Sequence, residues 1–220
     1  MNATLPQDLY LDLLKKVLTD YHRQGRDEYK PIRRNDSSWK AKFLYHLQKL
    51  LHKEAVVVCR RRRIEEANRA TGRDWPVYGE SMIGLKRLEN IESCIRSIVA
   101  EGIPGDLIET GVWRGGATIF MKAVLKTLNV TDRTVWVANS FEGLPRPNAA
   151  QYAAAGDTHH TYPELAVSLE EVQSNFEKYT LLDRNVKFLK GWFKDTLPTA
   201  PIEQLALLRL DGDMYESTMD

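Results

Sequence analysis

The sequence predicts an α/β fold whose core is a parallel sheet, and three observations predict it. Short apolar runs alternate with helical periodicity from about residue 107 onward, the first run leads into a glycine-rich turn, and later runs end in polar or acidic residues. Strands that alternate with helices form βαβ units, which build parallel sheets. Because this alternation is missing earlier, residues 1–100 are predicted to form a helical N-terminal region and residues 101–220 a sheet domain.

The composition is typical of a folded globular protein. The chain has 220 residues, 43% of them hydrophobic and 28% charged, and its 31 basic and 30 acidic side chains leave a formal net charge of +1. This balance predicts no attraction to nucleic acid or to an anionic membrane. Two distant cysteines, Cys59 and Cys94, predict reduced thiols, and the lack of a secretory signal or membrane-spanning run predicts a cytoplasmic protein.

Helical periodicity dominates the N-terminal region. Apolar residues at helical spacing predict a helix over residues 8–22, and the polar stretch 24–38 predicts a loop. Residues 39–70 are predicted to return to helix, and a further helix is predicted from 82 to 102. The arginine run at 60–63 would then be a solvated helix face, with phosphate binding as the alternative.

The C-terminal half alternates between strands and helices. Strands are predicted at residues 107–108, 135–138, 186–189 and 205–210, and helices at 119–128 and 169–179. Ser168 followed by Glu171 predicts a capping box at the start of the last of these helices. The chain stops at Asp220, soon after the fourth strand, which would leave an apolar strand as an exposed edge. A truncated sequence with its C-terminal strands missing is therefore expected.

The first strand and its glycine turn, residues 107–117, hold the sharpest local pattern. Glycines allow the backbone to approach a ligand closely, and free amides at the next helix start suit an anionic group. Glu109 would repel a pyrophosphate, and the glycine spacing differs from the dinucleotide fingerprint. A cationic ligand such as an amino-acid-bearing sulfonium is favoured, and a tight turn that binds nothing is the alternative.

Polar residues also follow the second and third strands. Asn139 lies where nucleoside-binding folds place a carboxylate on the ribose hydroxyls, and an amide lacks the charge assistance of that carboxylate. Ser140 and Glu142 are candidates to compensate. After the third strand, Trp192 and Asp195 are candidates to hold an adenine, with a core role for the tryptophan as the alternative.

Two carboxylates, Asp211 and Asp213, come directly after the fourth strand. Aspartate is a hard oxygen ligand for Mg²⁺, and a second aspartate nearby could serve as general base. One carboxylate does not make a metal site, so further ligands are expected beyond Asp220. The alternative is an Asp-Gly turn in which a carboxylate caps the next helix.

The polar loop at residues 155–162 precedes the helix at 169–179 and is predicted to be a lid. It contains His159, His160 and Tyr162. The two histidines could orient a substrate hydroxyl, whereas a zinc site is disfavoured because no third ligand lies at a suitable spacing.

Together these segments resemble the macrocin O-methyltransferase family over residues 72–220. The resemblance is carried by GRDWP at 72–76, MIGLKRL at 82–88, ETGVWRGG at 109–116, SFEGLP at 140–145, GWF at 191–193 and LDGDMYEST at 210–218. Residues 9–14 also resemble that family, whereas residues 24–70 look like a divergent or expanded insert.

The resemblance implies a Rossmann-like class I methyltransferase, assembled as a homodimer at full length, that uses S-adenosylmethionine and Mg²⁺ to methylate a hydroxyl of a small molecule such as an antibiotic sugar. Asp211 would bind the metal and the substrate hydroxyl would bind beside it, while Asp213 would take the proton. His159, His160 and Tyr162 would belong to the substrate lid. The implied cofactor contacts are Met82, Glu109, Thr110, Gly111, Val112, Trp113, Gly115, Asn139, Ser140, Gly191, Trp192 and Asp211.

Two departures from the family pattern keep other functions open. The family has aspartate where this chain has Asn139, and the family's remaining metal ligands, an Asp-Asp pair, lie beyond Asp220. An inactive relative that serves as a nucleoside-binding or dimerisation module is therefore the alternative. An NAD-dependent oxidoreductase is disfavoured by Glu109. The acceptor stays open among sugar, phenol and other hydroxyls.

Overall fold

The computed structural model of the chain describes residues 5–32, 38–51, 56–147 and 158–220. The strands are β1 (Asp27–Pro31), β2 (Cys59–Arg63), β3 (Asp106–Thr110), β4 (Val135–Asn139), β5 (Val186–Lys190) and β6 (Leu205–Leu210). Strands β3 to β6 form a four-stranded sheet in the order β5-β4-β3-β6, and neighbouring strands are all parallel. The predicted α/β fold and its four sheet strands are confirmed.

Helices pack around this sheet. They are α1 (Pro6–Leu18), α2 (Trp39–Leu51), α3 (Glu66–Thr71), α4 (Leu85–Ala100), α5 (Gly116–Thr127), α6 (Leu169–Lys178), α7 (Phe193–Thr196) and α8 (Tyr215–Met219). The predicted cap of α6 is confirmed, because the Glu171 amide donates to Ser168 Oγ at 3.2 Å. Cys59 and Cys94 are both free thiols, as predicted, although Cys59 lies on a strand and not on a helix.

The main apolar core lies between one face of the sheet and the helices α1, α4 and α5. Helix α5 contacts α1, α4 and the sheet strands β3 and β4, and Phe120 at its centre is fully buried. A helix that is apolar on all sides is stable only when it is enclosed in this way. Leu11 of α1 and Leu88 of α4 belong to the same core cluster as Leu107 of β3. Both predicted regions, residues 1–100 and 101–220, therefore contribute to one core.

The prediction for residues 24–70 was wrong in part. The segment predicted as loop contains β1, and the segment predicted as one helix contains α2, then β2, then α3, so the arginine run at 60–63 lies on a strand. Strands β1 and β2 pair antiparallel, with Asp27 opposite Arg63. Residues 33–37 and 52–55 of this stretch lie outside the described residues.

A buried ionic network explains why these charged residues form a strand pair. Glu28 of β1 is fully buried and accepts hydrogen bonds from Arg62 at 2.5 Å and Arg69 at 3.2 Å, as well as from the Val77 amide at 2.9 Å. Burial opposes ionisation of Glu28, but these hydrogen bonds and the two guanidinium charges outweigh it and lower its pKa. The network joins the β1-β2 pair to the segment after α3, which leads to the sheet edge.

Helix α4 begins three residues later than predicted, at Leu85 and not at Met82. Gly84 has a φ of 80°, and a Cβ there would lie 2.3 Å from the Gly72 nitrogen, so the chain turns sharply before the helix starts. This turn frees Met82 and Ile83 from the helix and lets them line a cavity beside the sheet.

Strand β6 is one of the two edge strands of the described sheet. Leu208 and Leu210 are 55% and 56% exposed on it, which agrees with the apolar edge that the sequence predicted. Within the parts of the chain that the structure describes, none of the helices has the length and apolar character needed to cross a membrane.

Candidate functional site

Two adjoining cavities form a cleft at the carboxyl ends of the four parallel strands. The β3-β6 cavity is the one lined by Glu109 and Asp211, and the β4-β5 cavity is the one lined by Ser140 and Trp192. The two cavities share Asn139, Gly143 and Leu144 on their walls. Their empty volumes are about 550 Å³ and 630 Å³, which include open solvent at the mouths. This edge of the sheet is where open α/β folds bind small organic ligands.

Most of the predicted cofactor residues line the cleft. The β3-β6 cavity is lined by Met82, Glu109, Gly111, Val112, Trp113, Asn139 and Asp211, together with the predicted base Asp213. The β4-β5 cavity is lined by Asn139, Ser140, Gly191 and Trp192. Residues that are far apart in the sequence therefore meet at one edge, because all of them except Met82 lie at or just after the carboxyl end of a parallel strand.

Two predicted cofactor residues do not reach the cleft. Thr110 lines a separate cavity on the other face of the sheet with Leu208 and Leu210, because side chains alternate along β3 and Glu109 takes the cleft side. Gly115 packs against α6, where a Cβ would lie 2.8 Å from Val172 Cγ1. Neither residue lines the cleft, so their cofactor contacts stay predictions.

The glycine turn is shaped by backbone packing. Gly111 has a φ of 88°, and a Cβ there would lie 2.1 Å from the Asp211 carbonyl oxygen. A Cβ on Gly116 would lie 2.5 Å from the Glu80 carbonyl oxygen, which accepts the Gly116 amide at 3.0 Å. These glycines bring the ends of β3 and β6 and the segment at residues 80–83 close enough to enclose one cavity.

Glu109 is the most perturbed acid of the cleft. Its side chain is 2% exposed, and Oε1 accepts from Arg209 Nη1 at 2.7 Å. Burial raises its pKa to about 7; the Arg209 charge opposes the rise, the Asp211 charge adds to it, and the Thr118 amide weakly favours ionisation. The second oxygen, Oε2, is buried and has no hydrogen-bond partner among the described residues. A buried carboxylate oxygen without a donor is costly, so a ligand that brings a donor would be stabilised here.

Arg209 is a site residue that the sequence prediction missed. Its Nη1 also lies 2.7 Å from Asp211 Oδ2, so one guanidinium contacts two carboxylates. Burial opposes the charge, but the two carboxylates outweigh it and raise the pKa of Arg209. The available signal was a single charged residue inside the otherwise apolar run 205–210. Ser81 and Ile83 also line the cavity and were missed, because they precede a helix and follow no strand.

The wall of the cleft at the predicted ribose position is formed by Asn139 and the turn after β4. Asn139 is 9% exposed and lies on the wall that the two cavities share. Ser140 Oγ donates to the Gly143 carbonyl at 2.5 Å and accepts from the Glu142 amide at 3.1 Å. The Ser140 hydroxyl therefore stabilises the turn through these two hydrogen bonds. The Glu142 side chain is exposed.

Trp192 forms part of the wall of the β4-β5 cavity beside Gly191 and Phe193. It precedes the short helix α7 and is half-buried, so part of its aromatic surface is exposed at the cavity wall. Asp195, the other predicted adenine contact, is exposed and does not line the cavity. Of the two predicted adenine contacts, the structure places Trp192 at the cavity wall and Asp195 away from it.

Asp211 and Asp213 differ in their surroundings. Both line the β3-β6 cavity, but Asp211 is paired with Arg209, whereas Asp213 has a left-handed backbone conformation with a φ of 60°. Burial by neighbouring groups and the Asp211 charge raise the pKa of Asp213, while His159 and Arg209 oppose the rise. The residue that precedes α8 is Met214, with no side-chain cap, so the alternative of a capping aspartate is not supported.

The predicted lid lies beside the glycine turn. Residues 159–161 form a short helical turn. The centroid of the Tyr162 ring lies 5.7 Å from that of His159 and 5.8 Å from that of Trp75. Trp113 Nε1 donates to the Glu164 carbonyl at 2.9 Å, which attaches this segment to the turn after β3. His159, His160 and Tyr162 do not themselves line either cavity. Residues 155–157 of the predicted lid lie outside the described residues.

A family model described as macrocin-O-methyltransferase (TylF) matches residues 7–220. The matched range spans residues 24–70, the stretch that looks like a divergent or expanded insert in the sequence.

Curated relatives match the chain over nearly its whole length. The 8-demethyl-8-(2,3-dimethoxy-alpha-L-rhamnosyl)-tetracenomycin-C 4'-O-methyltransferase of Streptomyces olivaceus is 48% identical over 97% of this chain and 72% of its own length. The demethyldecarbamoylnovobiocin O-methyltransferase of Streptomyces niveus is 48% identical over 96% and 72%. The mycinamicin III 3''-O-methyltransferase of Micromonospora griseorubida is 44% identical over 100% and 78%.

The fold also matches a solved structure. The O-methyltransferase NovP superposes with a TM-score of 0.77 at 44% sequence identity, covering 96% of this chain and 75% of that one.

Proposed function

The chain belongs to the macrocin O-methyltransferase family, and on this premise we propose that it transfers the methyl group of S-adenosylmethionine to a hydroxyl of a small molecule. A sugar hydroxyl of a secondary metabolite is the proposed acceptor, because the relatives' names include a rhamnosyl-tetracenomycin and mycinamicin III. When bound, S-adenosylmethionine supplies a methyl group activated by its positive sulfur.

The observation that carries this proposal is the unpartnered Oε2 of Glu109 in the wall of the β3-β6 cavity. An α-ammonium group would bring the missing donors and a positive charge to a buried carboxylate. The same ammonium would favour the ionised form of Glu109, whose pKa of about 7 leaves the carboxyl close to half protonated near neutral pH. Glu109 would thus hold the amino-acid end of the cofactor.

The neighbouring β4-β5 cavity suits the nucleoside end of the same molecule. Asn139 separates the two cavities and has an amide oxygen that can accept from a ribose hydroxyl. Trp192 provides an aromatic surface farther along the wall. The order Glu109, Asn139, Trp192 along the sheet edge matches the order of ammonium, ribose and adenine in the cofactor.

Asp213 is the proposed general base. It lines the same cavity as Glu109, and desolvation by neighbouring groups together with the Asp211 charge raises its pKa, which makes its carboxylate a stronger proton acceptor. Asp213 would take the proton of the acceptor hydroxyl while the oxygen forms its bond to the methyl carbon. Positioning of the hydroxyl by the cavity walls would supply much of the remaining rate.

Magnesium is a separate prediction, and the described residues do not by themselves fit a magnesium site. Within the described ranges, no group of three or more His, Cys, Asp or Glu side chains could hold an ion. Asp211 Oδ2 is also occupied by Arg209 at 2.7 Å. No step of the proposed reaction therefore passes through a metal. Turnover measured in EDTA, and again after Mg²⁺ is restored, decides whether the ion assists; unchanged turnover in EDTA contradicts the prediction.

The proposal is tested by calorimetry with S-adenosylhomocysteine and by mass spectrometry of glycosylated acceptors incubated with S-adenosylmethionine. Binding together with a mass gain of one methylene on an acceptor supports the proposed function. Binding without methylation of any acceptor supports only a nucleoside-binding role. No binding at millimolar ligand contradicts the enzyme and favours the alternative, an inactive relative that has lost tight cofactor binding. A homodimer and a cytoplasmic location remain predictions.

A further inference from the structure

We propose that Arg209 is a positioning residue that sets which carboxylate oxygen of Glu109 is presented to the cofactor and holds Asp211 beside it. This inference rests on the proposed function and deepens it. Arg209 does not line either cavity, so its influence on a ligand would pass through the two carboxylates that it contacts.

The sheet register creates this arrangement. Glu109 and Arg209 are paired across the parallel strands β3 and β6, so their side chains project from the same face. Asp211 follows Arg209 by two residues and lies at the end of the same strand. The three charged groups therefore meet at the carboxyl edge, on the side of the sheet that faces the cleft.

The contacts are short and largely shielded from water. Nη1 of Arg209 lies 2.7 Å from Glu109 Oε1 and 2.7 Å from Asp211 Oδ2. The side chains of Arg209 and Glu109 are 15% and 2% exposed, while that of Asp211 is 39% exposed. Charge-assisted hydrogen bonds of this kind are strong and directional, especially where water is excluded.

One consequence concerns the cofactor. Because Oε1 of Glu109 is committed to Arg209, the oxygen that remains without a partner in the cavity wall is Oε2. Loss of Arg209 would free the carboxyl group to rotate and would leave it without its buried counter-charge. Binding of ligands that carry an α-ammonium should weaken, whereas binding of the nucleoside portion alone should not.

The experiment compares two ligands by calorimetry. S-adenosylhomocysteine carries the α-ammonium, and 5′-methylthioadenosine keeps the nucleoside and thioether but lacks the amino-acid portion. For Arg209→Met, we expect Kd for S-adenosylhomocysteine to rise about tenfold or more, while Kd for 5′-methylthioadenosine stays within about twofold of wild type. Loss of affinity for both ligands in equal proportion, or for neither, overturns the inference.

Arg133→Met is the matched control. Arg133 donates to the carbonyls of Gly105, which is part-buried, and Ile103, which is exposed, just before β3 begins, so this change removes arginine contacts without touching the cleft. We expect it to lower the melting temperature and to leave the ratio of the two Kd values unchanged. A shift in that ratio in Arg133→Met would mean that lost stability alone explains the effect, and would overturn the inference.

Two gentler variants keep the inference testable if Arg209→Met does not fold. Glu109→Gln should lose affinity for S-adenosylhomocysteine selectively, and Arg209→Lys should do so to a smaller extent. If Arg209 acts through Glu109, the double variant Glu109→Gln/Arg209→Lys should lose little more affinity for S-adenosylhomocysteine than Glu109→Gln alone. Additive losses overturn the inference. Failure of wild-type protein to bind either ligand would instead contradict the proposed function.

Discussion

Gly111 and Asp211 meet through their backbones, since a Cβ on Gly111 would lie 2.1 Å from the Asp211 carbonyl oxygen. Their contact is reinforced by the Asp211 amide, which donates to the Thr110 carbonyl at 2.8 Å. The glycine turn therefore fixes the distance between β3 and β6, and this distance allows Arg209 to reach Glu109.

Gly111→Ala should force these two strands apart. The left-handed backbone alone costs roughly 1–3 kcal/mol for a side chain, and the backbone clash adds to it. We expect a larger loss in the free energy of unfolding than this, together with loss of S-adenosylhomocysteine binding. Urea unfolding followed by circular dichroism measures the first and calorimetry the second.

Gly25→Ala is the matched control for that change. Gly25 also has a positive φ, 73°, but a Cβ there would meet nothing within 4 Å. Gly25→Ala should lower the free energy of unfolding only by the cost of a left-handed backbone, about 1–2 kcal/mol. Equal destabilisation by the two substitutions would mean that the contact with Asp211 is not tight.

The pH dependence of ligand binding should follow Glu109. Its pKa of about 7 is raised mainly by burial, so the carboxyl is protonated below neutral pH and must lose its proton to pair with an ammonium. Affinity for S-adenosylhomocysteine should therefore rise between about pH 6 and pH 8 in wild type and stay flat in Glu109→Gln. Calorimetry over this range checks it.

The stability of the ligand-free protein should change in the opposite direction. Because the folded-state pKa of Glu109 lies above its ordinary value of 4.5, the folded state holds the proton more tightly than the unfolded chain. The resulting contribution to stability is complete below about pH 4.5 and is lost as the pH rises through about 7. In Glu109→Gln, melting temperature should fall less over that window; an identical pH profile would contradict the assigned pKa.

Asp213→Asn should separate catalysis from cofactor binding. The amide cannot accept the hydroxyl proton, so kcat should fall by about 10²- to 10⁴-fold, while Kd for S-adenosylhomocysteine stays within about twofold. Asp195→Asn provides the control, because Asp195 is exposed and outside the cavity walls. Wild-type turnover in Asp213→Asn would remove Asp213 from its role as base.

Arg69→Met should destabilise the fold strongly. The Arg69 side chain is 1% exposed and pairs with Asp74 at 2.8 Å and Glu28 at 3.2 Å, so its loss leaves buried Glu28 with less counter-charge. We expect the free energy of unfolding to drop by about 3–5 kcal/mol. Arg61→Met, in which a 72% exposed arginine loses its 3.4 Å contact with Asp27, should cost at most about 1 kcal/mol. Similar losses in thermal melts would contradict a structural role for the network.

The elements that the sequence predicted well are those whose burial is periodic. Strands β3 to β6 are apolar runs, and helices α4, α5 and α6 repeat apolar residues at helical spacing, so a short window of sequence reveals them. Strand β2 was missed because four of its five residues are arginines. Its stability depends on Glu28 and on pairing with β1, and neither partner is visible from local hydrophobicity.

The candidate site divides in the same way. By itself the sequence determined that Glu109, Asn139, Trp192 and Asp211 follow strands, and parallel strands bring such residues to one edge. Only the tertiary structure decided that β6 lies next to β3, with Arg209 opposite Glu109, and that Thr110 faces away from the cleft. Strand order and register depend on packing between distant segments, and no local pattern encodes them.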